Sequence, residues 1–342
     1  MNNPTSLLPY NTFGLAHSCS EILHIDTIEA LQAQCLRLHR NKEPMLVLGG
    51  GSNIVLTDDF SGTVVLIETH GIEIKAGEDA YYLTVAAGEN WHDLVLFCLA
   101  QGIPGLENMA LIPGTVGAAP IQNIGAYGVE FCQACDWVEY LDLDSGKLVR
   151  LSAEQCQFGY RDSVFKQALK NKAVITQVGL KLVTPWRPQL SYGPLKGFSA
   201  EVVTPQEVFD TVCQIRRSKL PDPHKLGNAG SFFKNPVVTV LEYQRLAQNF
   251  PDTVGYALED GRVKLAAGWL IERAGLKGYE YQGAAVHNEQ ALVLVNLGSA
   301  TGQVICDLAR HIITEVNRKF GVVLEPEPRL IGLHGEVELA NA

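Results

Sequence analysis

A chain of 342 residues exceeds the roughly 250–300 at which a single hydrophobic core stops growing, so two or three domains are expected. A formal net charge of −10 argues against nucleic acid or an anionic membrane as the main partner, while leaving room for a local basic pocket that holds a small anion. Met1–Tyr10 has no basic or apolar leader region and no run reaches the ~20 apolar residues that span a bilayer, so a cytoplasmic location without membrane insertion is expected.

The first third alternates strand and helix signals, which reads as α+β or α/β packing. Met45–Leu48 is a strand running into Gly49-Gly50-Gly51-Ser52-Asn53, and Thr63–Ile67 is the next. Tyr81–Gly88 is a strand ending in glycine, and Asn90 caps a helix over Trp91–Ala100 that stops at Gly102. From Asn108 to Val129 no residue is charged, yet Pro113, Gly114, Gly117, Pro120, Gly125 and Gly128 forbid a long buried helix. Such an irregular backbone must find acceptors for its N–H groups, and a ligand edge or phosphate would supply them, particularly if the turn at Gly49–Asn53 faces it. A loop satisfied by its own protein is the plainer reading.

Leu141–Arg150 is a hairpin turning at Asp144-Ser145-Gly146, and Lys172–Val183 has strand periodicity. Between them, Phe158-Gly-Tyr-Arg161-Asp-Ser163 offers a guanidinium to a carboxylate ligand. Pro185-Trp-Arg-Pro188 opens a break in composition over residues 185–205, with a mobile-looking turn at Ser191-Tyr192-Gly193-Pro194. Thr204-Pro-Gln-Glu207 is a capping box, so a helix is expected to run to about Ser218 and deliver Lys219 to the loop beyond.

Gly227-Asn-Ala-Gly-Ser231-Phe-Phe-Lys-Asn235-Pro236 places a hydroxyl, an ammonium and an amide between glycines and a proline, which suits a site as well as a polar turn before the strand-like Val237–Val240. Lys264–Arg273 reads as an amphipathic helix, Ala291–Val295 as a buried strand, and Gln303–Phe320 as a helix closed by Gly321. Leu324-Glu-Pro-Glu327-Pro-Arg329 locks two acids onto an extended segment.

Eight cysteines lack disulfide-framework spacing and are expected to be reduced; Cys132-Gln-Ala-Cys135 has no second pair to complete a zinc site. His311 and Glu315 share a helix face but read as solvated surface, and no metal is expected. The Gly49–Asn53 turn follows a strand as a dinucleotide fingerprint would, but Ile54 stands where the third glycine belongs. Two separate glycine-rich loops suit better a cofactor held along its length by backbone amides, with a pyrophosphate in the middle; a Rossmann-type nicotinamide dehydrogenase and a binding module without turnover stay open.

Five motifs, Gly49–Asn53, Ile112–Gly128, Phe158–Ser163, Gly227–Pro236 and Leu324–Glu327, in this order, resemble the UDP-N-acetylenolpyruvoylglucosamine reductases over nearly the whole chain. The resemblance implies an α+β fold: an FAD-binding domain of the vanillyl-alcohol-oxidase (PCMH) type over residues 13–184, a C-terminal substrate domain over 205–342, and a tyrosine-loop insertion near 185–204. It implies FAD contacts at Gly49, Gly50, Gly51, Ser52, Asn53, Pro113, Gly114, Gly117, Ala118, Gln122, Asn123, Gly125, Ala126 and Tyr127. Catalytic roles fall on Arg161, Ser231 and Glu327, and substrate contacts on Tyr192, Lys219, Asn235, Tyr256 and Gln290. NADPH and UDP-N-acetylglucosamine enolpyruvate are the implied small-molecule substrates of a monomeric bacterial enzyme. Thr115 and Ala118-Ala119 stand where relatives often carry other small residues, which touches only fine flavin contacts.

Overall fold

The computed structural model describes residues 4–342; Met1, Asn2 and Asn3 of the N-terminal stretch read above lie outside it. The chain divides into a larger compact unit, residues 20–50 and 62–218, and a smaller one, residues 4–19, 51–61 and 219–342.

In the larger unit, helix α1 (Ile28–Arg40) was not singled out from sequence, although its signals are local: Thr27 accepts from Ala30 N, and Leu31, Cys35 and Leu38 repeat at helical spacing and are buried. Each fully buried leucine contributes about 1.5–3 kcal/mol. Helix α2 (Trp91–Ala100) has the expected bounds, with Asn90 Oδ1 accepting from Asp93 N at 3.1 Å. Both helices bury their apolar faces in the same core as an antiparallel five-stranded sheet, whose order is Leu148–Ser152, Cys135–Asp142, Ala173–Val183, Ala80–Ala86 and Ile72–Ala76. Met45–Leu48 pairs in parallel with residues 63–66 and so carries the glycine turn at its end.

Helix α3 (Pro205–Lys219) starts on the expected capping box, with Thr204 N donating to Glu207 at 2.8 Å and Glu207 N to Thr204 Oγ1 at 3.2 Å. It does not open a second unit. Its face of Val208, Phe209, Val212 and Cys213 enters the core of the larger unit, as do Leu195 and Val203. The compact unit consequently ends after Ser218, whereas composition points to 185–205. The proline-rich stretch marks a docked excursion of the chain, held by buried apolar side chains.

The smaller unit contains helices α4 (Val240–Asn249), α5 (Ala267–Arg273) and α6 (Gly302–Phe320). Three sequence expectations change here. Gly227–Ser231 is a strand against Val293–Asn296, with a register break between Asn228 and Ser231 where Gly230 takes φ +70°. The strand after Pro236 ends at Val238, because Thr239 and Glu242 form a capping box that starts α4. Residues 263–265 leave the expected Lys264–Arg273 helix to pair with both Val237–Val238 and Gly255–Ala257, so α5 begins at Ala267. Helix α6 ends as expected at Gly321, which takes φ +68°. Ile54–Leu56 runs parallel to Arg329–Gly332, placing Asn53 beside the proline-locked acidic segment.

Among the described residues no helix is long and apolar enough to cross a membrane, and no group of three or more His, Cys, Asp or Glu residues could hold a metal. All eight cysteines are free. Desolvation pushes the Cys135 thiol well above its ordinary range, so it is a poor metal ligand or nucleophile. His311 stacks on Tyr279 at 5.0 Å and Glu315 pairs with Arg318 at 2.7 Å, separate partners for the two residues that share a helix face.

Candidate active site

In the larger unit the two glycine-rich turns face each other at backbone distance. A Cβ on Gly50 would lie 3.0 Å from Gly114 Cα, and one on Gly49 would lie 2.6 Å from Thr115 Oγ1 and 3.5 Å from Ala118. Gly117 is packed equally hard, its missing Cβ 2.6 Å from that of Ala87. The loop meets many of its own hydrogen-bonding needs: Val116 N donates to Glu89 O, Gly117 N to Ala87 O and Ile124 N to Ala119 O. A ligand is therefore not required to satisfy the whole uncharged run, and the close approach of the turns is the stronger reason to place one there. Pro113 is exposed, and Gln122 and Ala126 are half-buried.

The next motif is stitched to this loop. Ser163 Oγ donates to Ile121 O at 2.6 Å, Asn123 Nδ2 to Gly159 O at 3.0 Å, and Arg161 Nη2 to Gly125 O at 3.1 Å. Asn123 is fully buried and also donates to Glu130 and accepts from Cys132 N at 2.9 Å, so its side chain is occupied in holding the loop to the arginine turn. Gly159 and Asp162 exchange backbone bonds around Tyr160-Arg161. Arg161 sits at φ +55° and Tyr127 at φ +50°, a conformation costing an L-residue about 1–2 kcal/mol. Strain of this kind is kept where surrounding contacts over-determine it, as they do here.

Tyr192, 43% exposed, meets the Tyr127 ring edge-on at a centroid distance of 5.2 Å. Sequence reading did not single out Arg216, on the inner face of α3. Burial pulls its guanidinium below its ordinary value, Tyr127 lies close enough to counter this, and its Nε has no hydrogen-bond partner among the described residues. A buried guanidinium N–H without a partner fits an acceptor such as an anionic group. The orphaned Nε was not legible in the sequence, where Arg216-Arg217 reads as helix surface.

In the smaller unit, backbone pairing brings the remaining motifs together. Glu327 N donates to Phe232 O at 2.8 Å, one residue after Ser231, and Lys234 N donates to Glu325 O at 2.9 Å. The two acids then part: Glu325 pairs with Lys234 Nζ at 3.1 Å on the surface, whereas Glu327 is half-buried. Arg329 N donates to Asn53 O at 3.0 Å, setting the end of the Gly51-Ser52-Asn53 turn against the same segment.

Asn235 Oδ1 accepts from Ala267 N at 2.9 Å and so caps α5, and Gln290 Oε1 lies near Gly268 in the same first turn. Tyr256 is exposed opposite Lys264, and Lys219 is exposed at the end of α3. The residues at the N-terminus of the unit were also missed. Thr12 N donates to Gly51 O at 3.2 Å while Thr12 O accepts from Asn228 N at 3.0 Å, joining the glycine turn to the Ser231 strand. The Thr12 hydroxyl is buried without a hydrogen-bond partner among the described residues.

Residues 21–152 match the model of an FAD binding domain, and residues 222–331 match that of the UDP-N-acetylenolpyruvoylglucosamine reductase C-terminal domain. The class is thus a flavoprotein oxidoreductase of α+β fold, with a PCMH-type FAD-binding domain followed by a C-terminal α+β domain. The chain is 62% identical to the UDP-N-acetylenolpyruvoylglucosamine reductase of Shewanella sp. (strain ANA-3), covering 99% of each chain. It is 52% identical to that of Pasteurella multocida (strain Pm70), covering 98% of this chain and 99% of the relative. A crystal structure of the enzyme from Thermus caldophilus superposes with a TM-score of 0.67 at 25% identity, covering 96% of this chain and 98% of that one. The chain belongs to the UDP-N-acetylenolpyruvoylglucosamine reductase family.

Proposed function

We propose that this protein reduces the enolpyruvyl group of UDP-N-acetylglucosamine enolpyruvate to give UDP-N-acetylmuramate, with NADPH as reductant and FAD between them, for peptidoglycan precursor synthesis. The structural observation that carries this reading is the backbone bond from Glu327 N to the carbonyl of Phe232, which brings the carboxylate-bearing segment to the residue after Ser231. The backbone approach of Gly50 to Gly114, in a loop without a carboxylate, suits a flavin. FAD, when bound, supplies hydride to the enolpyruvyl methylene.

The chain's own residues do the rest. Hydride addition leaves negative charge on the carbon next to the substrate carboxylate, an enediolate-like species that must be held and then protonated. Arg161, fixed through Gly125 and the Asn123–Gly159 bond, presents a guanidinium suited to the carboxylate end. Ser231 donates its hydroxyl proton to carbon, since a hydroxyl that is a poor acid in water is acidic enough for so basic a centre. Tyr192, Lys219, Asn235, Tyr256 and Gln290 contact the nucleotide-sugar. The same reading assigns a monomer working in the bacterial cytoplasm on small molecules, with neither nucleic acid nor membrane as partner.

Purified protein is expected to be yellow and to hold FAD non-covalently, because no His or Cys lies in Gly49–Asn53 or Ile112–Gly128 to attach it. A colourless preparation that takes up no added FAD overturns the assignment. Tyr192→Phe and Lys219→Ala are expected to raise the substrate KM, Lys219→Ala by about 10–100-fold as befits a lost charge-assisted hydrogen bond. Unchanged KM in both variants, with normal turnover, removes these residues from the substrate site.

A further inference from the structure

Two buried polar residues in the larger unit have no part in the reading above. Glu107 and Asn108 are 2% and 4% exposed, in a single turn that precedes the glycine-rich loop. Buried polar groups are costly unless paired, and these two are paired across the fold. Asn108 Nδ2 donates to Tyr127 O at 3.0 Å and to Gln189 O at 2.9 Å. The Glu107 carboxylate accepts from Gly105 N at 2.6 Å and lies close to the Trp186 side chain.

Trp186 and Gln189 belong to the excursion that carries Tyr192, and both contacts, the Asn108 bond to Gln189 and the approach of Glu107 to Trp186, fall within six residues of that tyrosine. Leu195, fully buried, anchors the far side. The missing Cβ of Gly128 would lie 3.0 Å from Ser191 Oγ and 3.9 Å from Tyr192 Cβ, so the residue after Tyr127 packs against the side chains of the Tyr192 turn. A single amide therefore holds both partners of the edge-on Tyr127–Tyr192 contact, one by its own carbonyl and the other three residues upstream.

We propose that Asn108 is a positioning residue: its amide keeps Tyr127 and the Trp186–Tyr192 segment in register, and so sets affinity for the nucleotide-sugar without touching it, with Glu107 as a second tie through Trp186. This rests on the reading of Tyr192 as a substrate contact. What the amide contributes is order, because a tyrosine that is more than two-fifths exposed would otherwise pay conformational entropy on each binding event.

The test uses the full-length, FAD-loaded protein with Asn108→Ala, Asn108→Asp, Trp186→Phe and Tyr192→Ala. Asn108→Asp keeps the shape but sets acceptors against both carbonyls, and Trp186→Phe removes the indole N–H together with part of the ring; as Trp186 is only half-buried, its variant is the second one to read if the Asn108 proteins do not fold. Expected are normal FAD content and normal bleaching by NADPH, a substrate KM raised about tenfold in the Asn108 variants and less in Trp186→Phe, and kcat within about twofold of the parent. Asn108→Ala should add little in a Tyr192→Ala background, because both act through one ring. A raised KM in Tyr192→Ala with unchanged KM in folded Asn108→Asp and Trp186→Phe overturns the positioning role, as does full additivity of Asn108 and Tyr192. An unchanged KM in Tyr192→Ala itself instead overturns the substrate reading of that tyrosine.

Discussion

Ser231→Ala is expected to leave reduction of the flavin by NADPH nearly intact and to suppress its reoxidation by the enolpyruvyl substrate by about 10²–10⁴-fold, the scale of removing a positioned acid. The two half-reactions separate because the hydroxyl acts only after hydride has left the flavin. The fold gives no reason for collateral damage. Ser231 is held by backbone pairing with Val293, and that pairing survives loss of the side-chain oxygen. Stopped-flow mixing of pre-reduced enzyme with substrate reads the second step alone. Wild-type reoxidation in the variant would move the proton donor elsewhere, whereas equal loss in both steps would point to disturbed flavin binding.

Glu327→Gln is expected to fold normally, bind FAD and accept electrons from NADPH, yet to slow substrate-driven reoxidation by about 10²-fold or more. The exchange preserves size and leaves the bond from Glu327 N to Phe232 O in place, so geometry is kept and charge alone is removed. Glu325 supplies the internal control two residues away. It is paired with Lys234 on the surface, and Glu325→Gln should stay within about 0.5 kcal/mol of the parent in stability, with turnover unchanged. If both substitutions prove equally silent, Glu327 is a structural acid and its catalytic assignment fails.

The helices with explicit end signals were legible in the chain itself. Asn90 before α2, the Thr204–Glu207 box before α3 and Gly321 after α6 each satisfy local backbone groups, so their consequences need no distant partner. Helix α4 carried the same kind of signal in Thr239 and Glu242, but the β-branched run before it reads as strand, and the structure divides the stretch at Thr239. Residues 263–265 looked helical by apolar spacing. Their conformation is decided by pairing with strands on both sides, which no window along the chain contains.

The same division runs through the site. Sequence determined the mixed helix and strand content, the uncharged glycine-rich loop, the order of five motifs and the residue types able to do the chemistry, because glycine, proline and cap preferences act over a few bonds. Tertiary structure decided which partners those residues take and which unassigned polar residues are buried beside them. Asn123 is buried as a clamp, Asn235 caps a helix 32 residues away, and Glu325, one of the two acids beside Pro326, pairs with Lys234. The unpartnered Arg216 nitrogen and the Asn108 bond across 81 residues are equally invisible to the chain order. Hydrogen-bond satisfaction and burial are properties of neighbours in space, and a polar residue's role is fixed by the partners that folding brings to it.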